Sequence, residues 1–120
     1  MHEMGIANSI LHAVKLEAAR YPGCHPQKIG VRIGELAAVD PDSLQFCFDV
    51  LKQEAGFHDL QLEIELLRRR HRCDQCQREF DVQDYDLHCP ECGQPTSLCI
   101  SGDELELAYL EVEEHEPSTA

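Results

Sequence analysis

Tryptophan is absent, and aromatic residues make up only 6% of the 120 positions. So little bulk permits only a small core, and a chain this short commonly leans on a metal, a disulfide or a partner. Basic residues are also scarce: Lys and Arg number 10 against 23 Asp and Glu, for a formal charge of -13. That balance argues against a groove that tracks nucleic-acid phosphates and suits cations or basic protein partners. No apolar run approaches the roughly 18 residues of a membrane span. The opening Met1-His2-Glu3 lacks the positive and apolar regions of a secretory signal. The expectation is a cytoplasmic protein without nucleic-acid or membrane partners. A glycine-rich phosphate loop is missing as well, since Gly30-Val-Arg-Ile-Gly34 reads as a strand with glycines. His12, His25, His58, His71, His88 and His115 fall in no local catalytic pattern. The expectation is therefore not an enzyme.

Hydrophobic periodicity sets out the elements. From Glu3 to about Ala19, Met4, Ala7, Ile10 or Leu11, Val14 and Ala18 share a helical face. The turn Tyr21-Pro-Gly-Cys-His-Pro26 stops that helix and leaves Cys24 exposed. Ile29, Val31 and Ile33 then alternate as a strand. Asp40-Pro41-Asp42 predicts a second helix, with Asp40 capping free amides and Pro41 at the first helical position. Its buried stripe is Leu44, Cys47 or Phe48, Leu51 and Ala55, and Gly56 lies near its end. Leu60, Leu62, Ile64 and Leu66 mark a second half-buried strand. A last strand runs from Asp103 to Glu113. Because both its faces carry apolar residues, it reads as a central strand or one whose face changes at a bulge.

What the chain has in quantity is cysteine, seven in all, an odd number that cannot pair completely into internal disulfides. In a cytosolic setting such residues read as metal ligands. Cys73-x2-Cys76 and Cys89-x2-Cys92 form two knuckles separated by 12 residues. Four thiolates brought to one point suit zinc in a closed, structural site. Common iron–sulfur spacings differ from these, and a redox dithiol would need the motif only once, at a helix start. Gly93, after the second knuckle, is expected to supply an open backbone dihedral. Phe80, Val82, Tyr85 and Leu87 suffice for a short hairpin between the knuckles. His88 is a candidate to reach the metal or a ligand. The preceding run Arg68-Arg69-Arg70-His71-Arg72 reads either as a patch for an acidic partner or as a solvated hinge offsetting the thiolates. The fold class is α+β: two helices on a small three-stranded mixed sheet with an inserted zinc-ribbon-like module.

The amino terminus holds a second constellation. A bulky second residue should keep Met1 in place. The α-amine, the His2 amide nitrogen and the His2 ring nitrogen can then chelate one metal through fused rings, with Glu3 close by. Borderline metals such as nickel or copper favour nitrogen donors. The plainer reading is a flexible terminus leading into the first helix.

Several stretches together resemble the HypA/HybF family of nickel-insertion accessory proteins for [NiFe]-hydrogenase. They are Met1-His2-Glu3 with Ile6-Ala7, Arg32-Ile33-Gly34-Glu35-Leu36, Val39-x-Pro41-x2-Leu44-x-Phe46-x-Phe48, the two knuckles, and Ser101-Gly102-Asp103-Glu104-Leu105. The resemblance covers nearly the whole chain. It implies Ni(2+) at the amino terminus, with His2 the essential side-chain ligand and Met1 and Glu3 as neighbours. It implies Zn(2+) on Cys73, Cys76, Cys89 and Cys92. It further implies work with a hydrogenase maturation GTPase, docking on the large-subunit precursor of the hydrogenase, service to urease maturation proteins in some relatives, and a monomer or homodimer. The expected domains are 1–67 plus 100–115 for nickel, 68–99 for zinc, and a frayed tail at 116–120. The competing function is a zinc-stabilised interaction adaptor with no nickel-carrier role.

Overall fold

The computed structural model describes residues 3–114. The elements in order are α1 (Glu3–Ala19), β1 (Cys24–Gly34), a 3-10 turn (Glu35–Ala37), α2 (Pro41–Ala55), β2 (Gln61–Leu67), β3 (Arg70–Cys73), β4 (Glu79–Asp81), β5 (Ser97–Ser101) and β6 (Leu105–Glu114). Two helices packed on a small mixed sheet, together with a cysteine-rich module, make up the α+β fold expected from the sequence. The chain divides into two compact units. One comprises the residues up to Val31, Val39–Glu65 and those from Glu106 on; the other comprises Arg32–Ala38 and Leu66–Leu105.

In the first unit, α1 buries Ala7, Ile10, Leu11 and Val14, a stripe at helical spacing. Met4, assigned to the same stripe from its spacing, is 45% exposed, because it sits in the first turn where the stripe has not yet closed over the core. Helix α2 begins as its sequence dictates. Asp40 accepts the Asp42 N–H at 3.1 Å and the Ser43 hydroxyl at 2.9 Å, and Pro41 needs no partner at the first helical position. Gly56, at φ +82°, ends the helix and donates back to Gln53 and Lys52. Leu44 and Phe48 are fully buried, and a Phe so placed contributes roughly 2–3 kcal/mol of hydrophobic transfer. Cys47, read as a core side chain from the same periodicity, is half-buried, since Phe48 takes the inward position beside it.

The sheet order is β2-β1-β6, which makes β1 central. Ile29, Val31 and Ile33 are buried, as their alternation predicts. Strand β1 starts at Cys24, earlier than the Pro/Gly turn suggests, and Cys24 is half-buried in it rather than exposed in a turn. For the last strand, the central position is the expectation that fails. Strand β6 lies at the sheet edge, and Leu105, Leu107, Tyr109 and Val112 are 38–48% exposed. Apolar residues in both registers thus do not signal a central strand here. Tyr109 lies over Gly30, whose hydrogen leaves room for the ring: a Cβ there would come 2.1 Å from Tyr109 Cε1.

The second unit is a three-stranded antiparallel sheet of order β4-β3-β5. Arg70, His71 and Arg72 face Asp81, Phe80 and Glu79 across one ladder, and β3 pairs with Leu98, Cys99 and their neighbours across the other. Phe80, Val82 and two of the cysteines form its core, with Leu87 against it. Arg32–Ala38 joins this unit through backbone bonds. The Gly34 N–H donates to the Glu104 carbonyl at 2.8 Å, and the Leu36 N–H to the Gly102 carbonyl at 2.7 Å. Gly34 permits that approach, because a Cβ would stand 2.0 Å from the Gly102 oxygen. Gly34→Ala must therefore push two backbones apart. It is expected to lower stability by about 1–3 kcal/mol, measured as a drop in urea midpoint, with amide shifts centred on Gly102–Glu104.

Candidate metal centre

The two knuckles have one design. In each, the residue four after the first cysteine donates its N–H back to that cysteine's carbonyl: Gln77 to Cys73 at 3.1 Å and Gly93 to Cys89 at 2.9 Å. Both turning residues take positive φ, +65° at Gln77 and +75° at Gly93. The glycine was legible as a turn. Gln77 takes the same left-handed conformation without a compositional cue, and unlike glycine it does so at a steric cost. The Gln75 and Cys76 N–H groups both point at Cys73 Sγ, each at 3.4 Å. Such donors favour the thiolate.

All four sulfurs lie within 4.8 Å of one another. Cys73 Sγ and Cys92 Sγ are 3.4 Å apart, and Cys76 Sγ and Cys89 Sγ are 3.6 Å apart. Cys73 and Cys89 are buried; Cys76 and Cys92 are exposed. Among the described residues this is the one group of three or more His, Cys, Asp or Glu close enough to share an ion. Four soft donors around one point, with no fifth residue aimed at it, fit a closed tetrahedral zinc site.

Crowding splits the acidities of the four thiols. Backbone N–H bonds, that from Cys76 first, draw Cys73 down to about 6. Cys89 is also lowered, chiefly by the Cys92 N–H. Cys92 goes the other way. The Gln94 N–H lowers it, but hydrogen bonds with the neighbouring sulfurs and burial together push it up to about 12. Cys76 is raised too, because its own backbone bond from Arg78 is outweighed by burial and by Cys73 and Cys89. Two sulfurs thus ionise readily, and the other two resist adding charge beside them. A divalent cation removes that resistance and expels the remaining protons.

The surrounding groups are committed to the ribbon itself. His71, 4% exposed, accepts from Arg69 Nε at 3.1 Å and contacts Ser97 Oγ at 2.8 Å. Burial, and then the Arg69 charge, lower its pKa. The imidazole is therefore neutral, carries its proton on Nδ1, and donates to Ser97. Sequence reading placed His71 only at the border of the knuckles. Its cue was its place in a strand, with Phe80 across the ladder and ring centroids 6.3 Å apart. His88 does not reach the sulfurs; it pairs with Asp86 at 2.8 Å and is exposed. The arginine run is not a bare patch. Arg68 and Arg70 pair with Asp81 at 3.7 and 3.5 Å, and Arg72 with Glu79 at 3.9 Å. Cys99 donates to the Ser101 carbonyl at 3.3 Å and stays outside the cluster.

Of the amino-terminal set, Met1 and His2 lie outside the described residues. Glu3 opens α1, and its carboxylate accepts the Asp40 N–H at 3.1 Å. That bond is the main reason its pKa is lowered. Glu3 thereby ties the first residue of α1 to the cap of α2. As a metal ligand it would either give up this bond or act through its backbone nitrogen. No helix among the described residues is long and apolar enough to cross a membrane.

Comparison with known proteins points to one family. The family model for hydrogenase/urease nickel incorporation, metallochaperone, hypA, matches residues 1–112. The chain is 36% identical over 114 residues to the hydrogenase maturation factor HypA of Chlorobium luteolum, covering 95% of this chain and 97% of that one. It is 34% identical to the same factor of Geobacter metallireducens, over 94% of this chain and all of the other. The solution structure of the Ni metallochaperone HypA from Helicobacter pylori matches in fold with a TM-score of 0.64 at 23% identity, over 96% of this chain and 100% of that one.

Two measurements follow from the site. Zinc loading near neutral pH should release protons, chiefly from Cys76 and Cys92, so affinity should rise with pH. Calorimetry in buffers of different ionisation enthalpy reads this directly, and equal heats in all buffers would contradict it. Glu3→Gln tests the α1–α2 tie. A lowered folded pKa means that the charged carboxylate adds stability above its ordinary titration range and loses it as pH falls through the folded value. The variant should melt below the parent at pH 7, and the gap should close on acidification.

Proposed function

The chain belongs to the HypA family of nickel-incorporation metallochaperones, and from that premise we propose how it handles two metals. Ni(2+) is its cargo. The Met1 α-amine and the His2 amide and ring nitrogens bind it, with Glu3 adjacent through its amide or its carboxylate. Zn(2+) is resident on Cys73, Cys76, Cys89 and Cys92 and orders the ribbon unit. A metallochaperone transfers a metal and transforms no substrate, so the chain is not an enzyme. It acts in the cytoplasm with a hydrogenase maturation GTPase. It docks on the large-subunit precursor of [NiFe]-hydrogenase, and nickel destined for urease is a second route for the same cargo.

The observation that carries this reading is the extent of the family match. It starts at residue 1 and runs to 112, taking in both the nitrogen donors of Met1-His2 and all four cysteines. The chemistry supports the division of labour. A delivery site must release its metal, and a terminal chelate of borderline donors is open on most sides. Four thiolates in a closed tetrahedron hold zinc with an apparent folding contribution on the order of 10 kcal/mol in small domains. Such a site suits retention.

Untagged, zinc-loaded protein should bind nickel, and His2→Ala should lose that binding while keeping its zinc. Nickel titration with zinc content followed throughout tests this. Equal nickel binding by both proteins, or displacement of zinc by nickel, would overturn the amino-terminal site and leave the adaptor function.

A further inference from the structure

Strand β6 forms one edge of the sheet in the first unit. It is an edge strand of ten residues, Leu105–Glu114, without a proline, lysine or arginine. Charged side chains ordinarily blunt an exposed edge, whose backbone groups invite another strand, and here every charge is a glutamate, so the edge repels an acidic strand and stays open to a basic one.

The side chains of β6 specify what could pair with it. Side chains alternate along a strand. Tyr109 lies over Gly30, so Leu107, Glu111 and Glu113 share its face. Burial first, then a hydrogen bond to Glu63 and the charges of Glu63, Glu111 and Glu65, raise the Tyr109 hydroxyl, so these carboxylates gather around it. Lys28, at hand on β1, is already paired with Glu63 at 3.4 Å. The opposite register is apolar at Ala108, Leu110 and Val112 and acidic at its two ends, Glu106 and Glu114. Its Ala108, Leu110, Val112 and Glu114 line a groove of about 550 Å³ together with Glu17 and Tyr21.

We propose that β6 is a strand-addition site for an extended, lysine- or arginine-rich segment of a partner protein. The partner's backbone pairs with the β6 edge, its basic side chains meet the β6 carboxylates, and its apolar side chains enter the groove. A second copy of this chain fits poorly. Two β6 strands side by side would set glutamates against glutamates, which destabilises cross-strand pairs. The proposal rests on the sheet edge and its charge, and holds whether or not the amino terminus carries nickel.

The test uses full-length zinc-loaded protein and a nine-residue peptide alternating lysine and valine. Its control is the same peptide with alternate backbone amides N-methylated, which keeps the charge and removes the edge hydrogen bonds. Amide NMR should show shifts and slowed hydrogen exchange concentrated at 105–114. The N-methylated control should bind about tenfold or more weakly, equivalent to losing one or two net hydrogen bonds. The exposed double substitution Glu111→Lys/Glu113→Lys should weaken the unmodified peptide while the protein's spectrum stays folded. Shifts scattered over the acidic surface, equal binding of the control, or undiminished binding by the double variant would each overturn the proposal. So would sedimentation showing that two copies already pair through β6.

Discussion

Four cysteine sulfurs held within 4.8 Å of one another are the constraint on which the second unit depends. At that spacing they cannot all be negative on their own account. Backbone N–H groups favour the thiolate at Cys73 and Cys89, while Cys76 and Cys92 are pushed toward the neutral thiol. The fold has therefore positioned the ligands without resolving their charge, and a divalent cation does so. Little else in the unit could substitute for it. Its apolar core is Phe80 and Val82 with Leu87 alongside, and its strands are three to five residues long. The Arg69–His71–Ser97 hydrogen bonds and the arginine pairs with Asp81 and Glu79 fix the register of the strands. The exposed ion pairs add little energy.

The first unit works under the opposite demand. On the proposed reading, its amino-terminal donors take up a metal and give it away, a task that burial would not serve. What the scaffold contributes is a fixed origin. Helix α1 begins at Glu3, directly after His2, and the Glu3 carboxylate is bonded to the backbone at the cap of α2. The same cap residue, Asp40, accepts the Asp42 N–H and the Ser43 hydroxyl. A metal carried on Met1 and His2 would thus be presented from the joint start of two packed helices. Under that proposal, donor type and enclosure account for retention in one unit and release from the other.

Much of this was legible in the sequence wherever a local rule decides the outcome. The α2 caps at Asp40, Pro41 and Gly56 are chemical necessities of helix ends, and the cysteine spacing is a necessity of tetrahedral ligation. Strand β1 was visible through Ile29, Val31 and Ile33, although its start at Cys24 was hidden behind Pro22 and Pro26. What escaped depends on distant pairing. Strand β5 has no strong alternation and exists because β3 offers it an edge. His71 looked like a neighbour of the knuckles until Ser97 arrived from 26 residues away. Strand β6 was misjudged because apolar residues on both faces usually mean burial. Here both registers lie on an edge strand, one of them lining an open groove. Arg32–Ala38 joins the ribbon unit through backbone bonds to 102–104 that no side-chain pattern announces.

The central claim is that two metals occupy chemically distinct sites on one chain. X-ray absorption at the nickel and zinc edges of the same untagged, doubly loaded sample tests it most directly. The account predicts a nickel shell of nitrogen and oxygen only, beside a zinc shell of four sulfurs at about 2.3 Å. Sulfur in the nickel shell, or nitrogen and oxygen replacing sulfur at zinc, would contradict it.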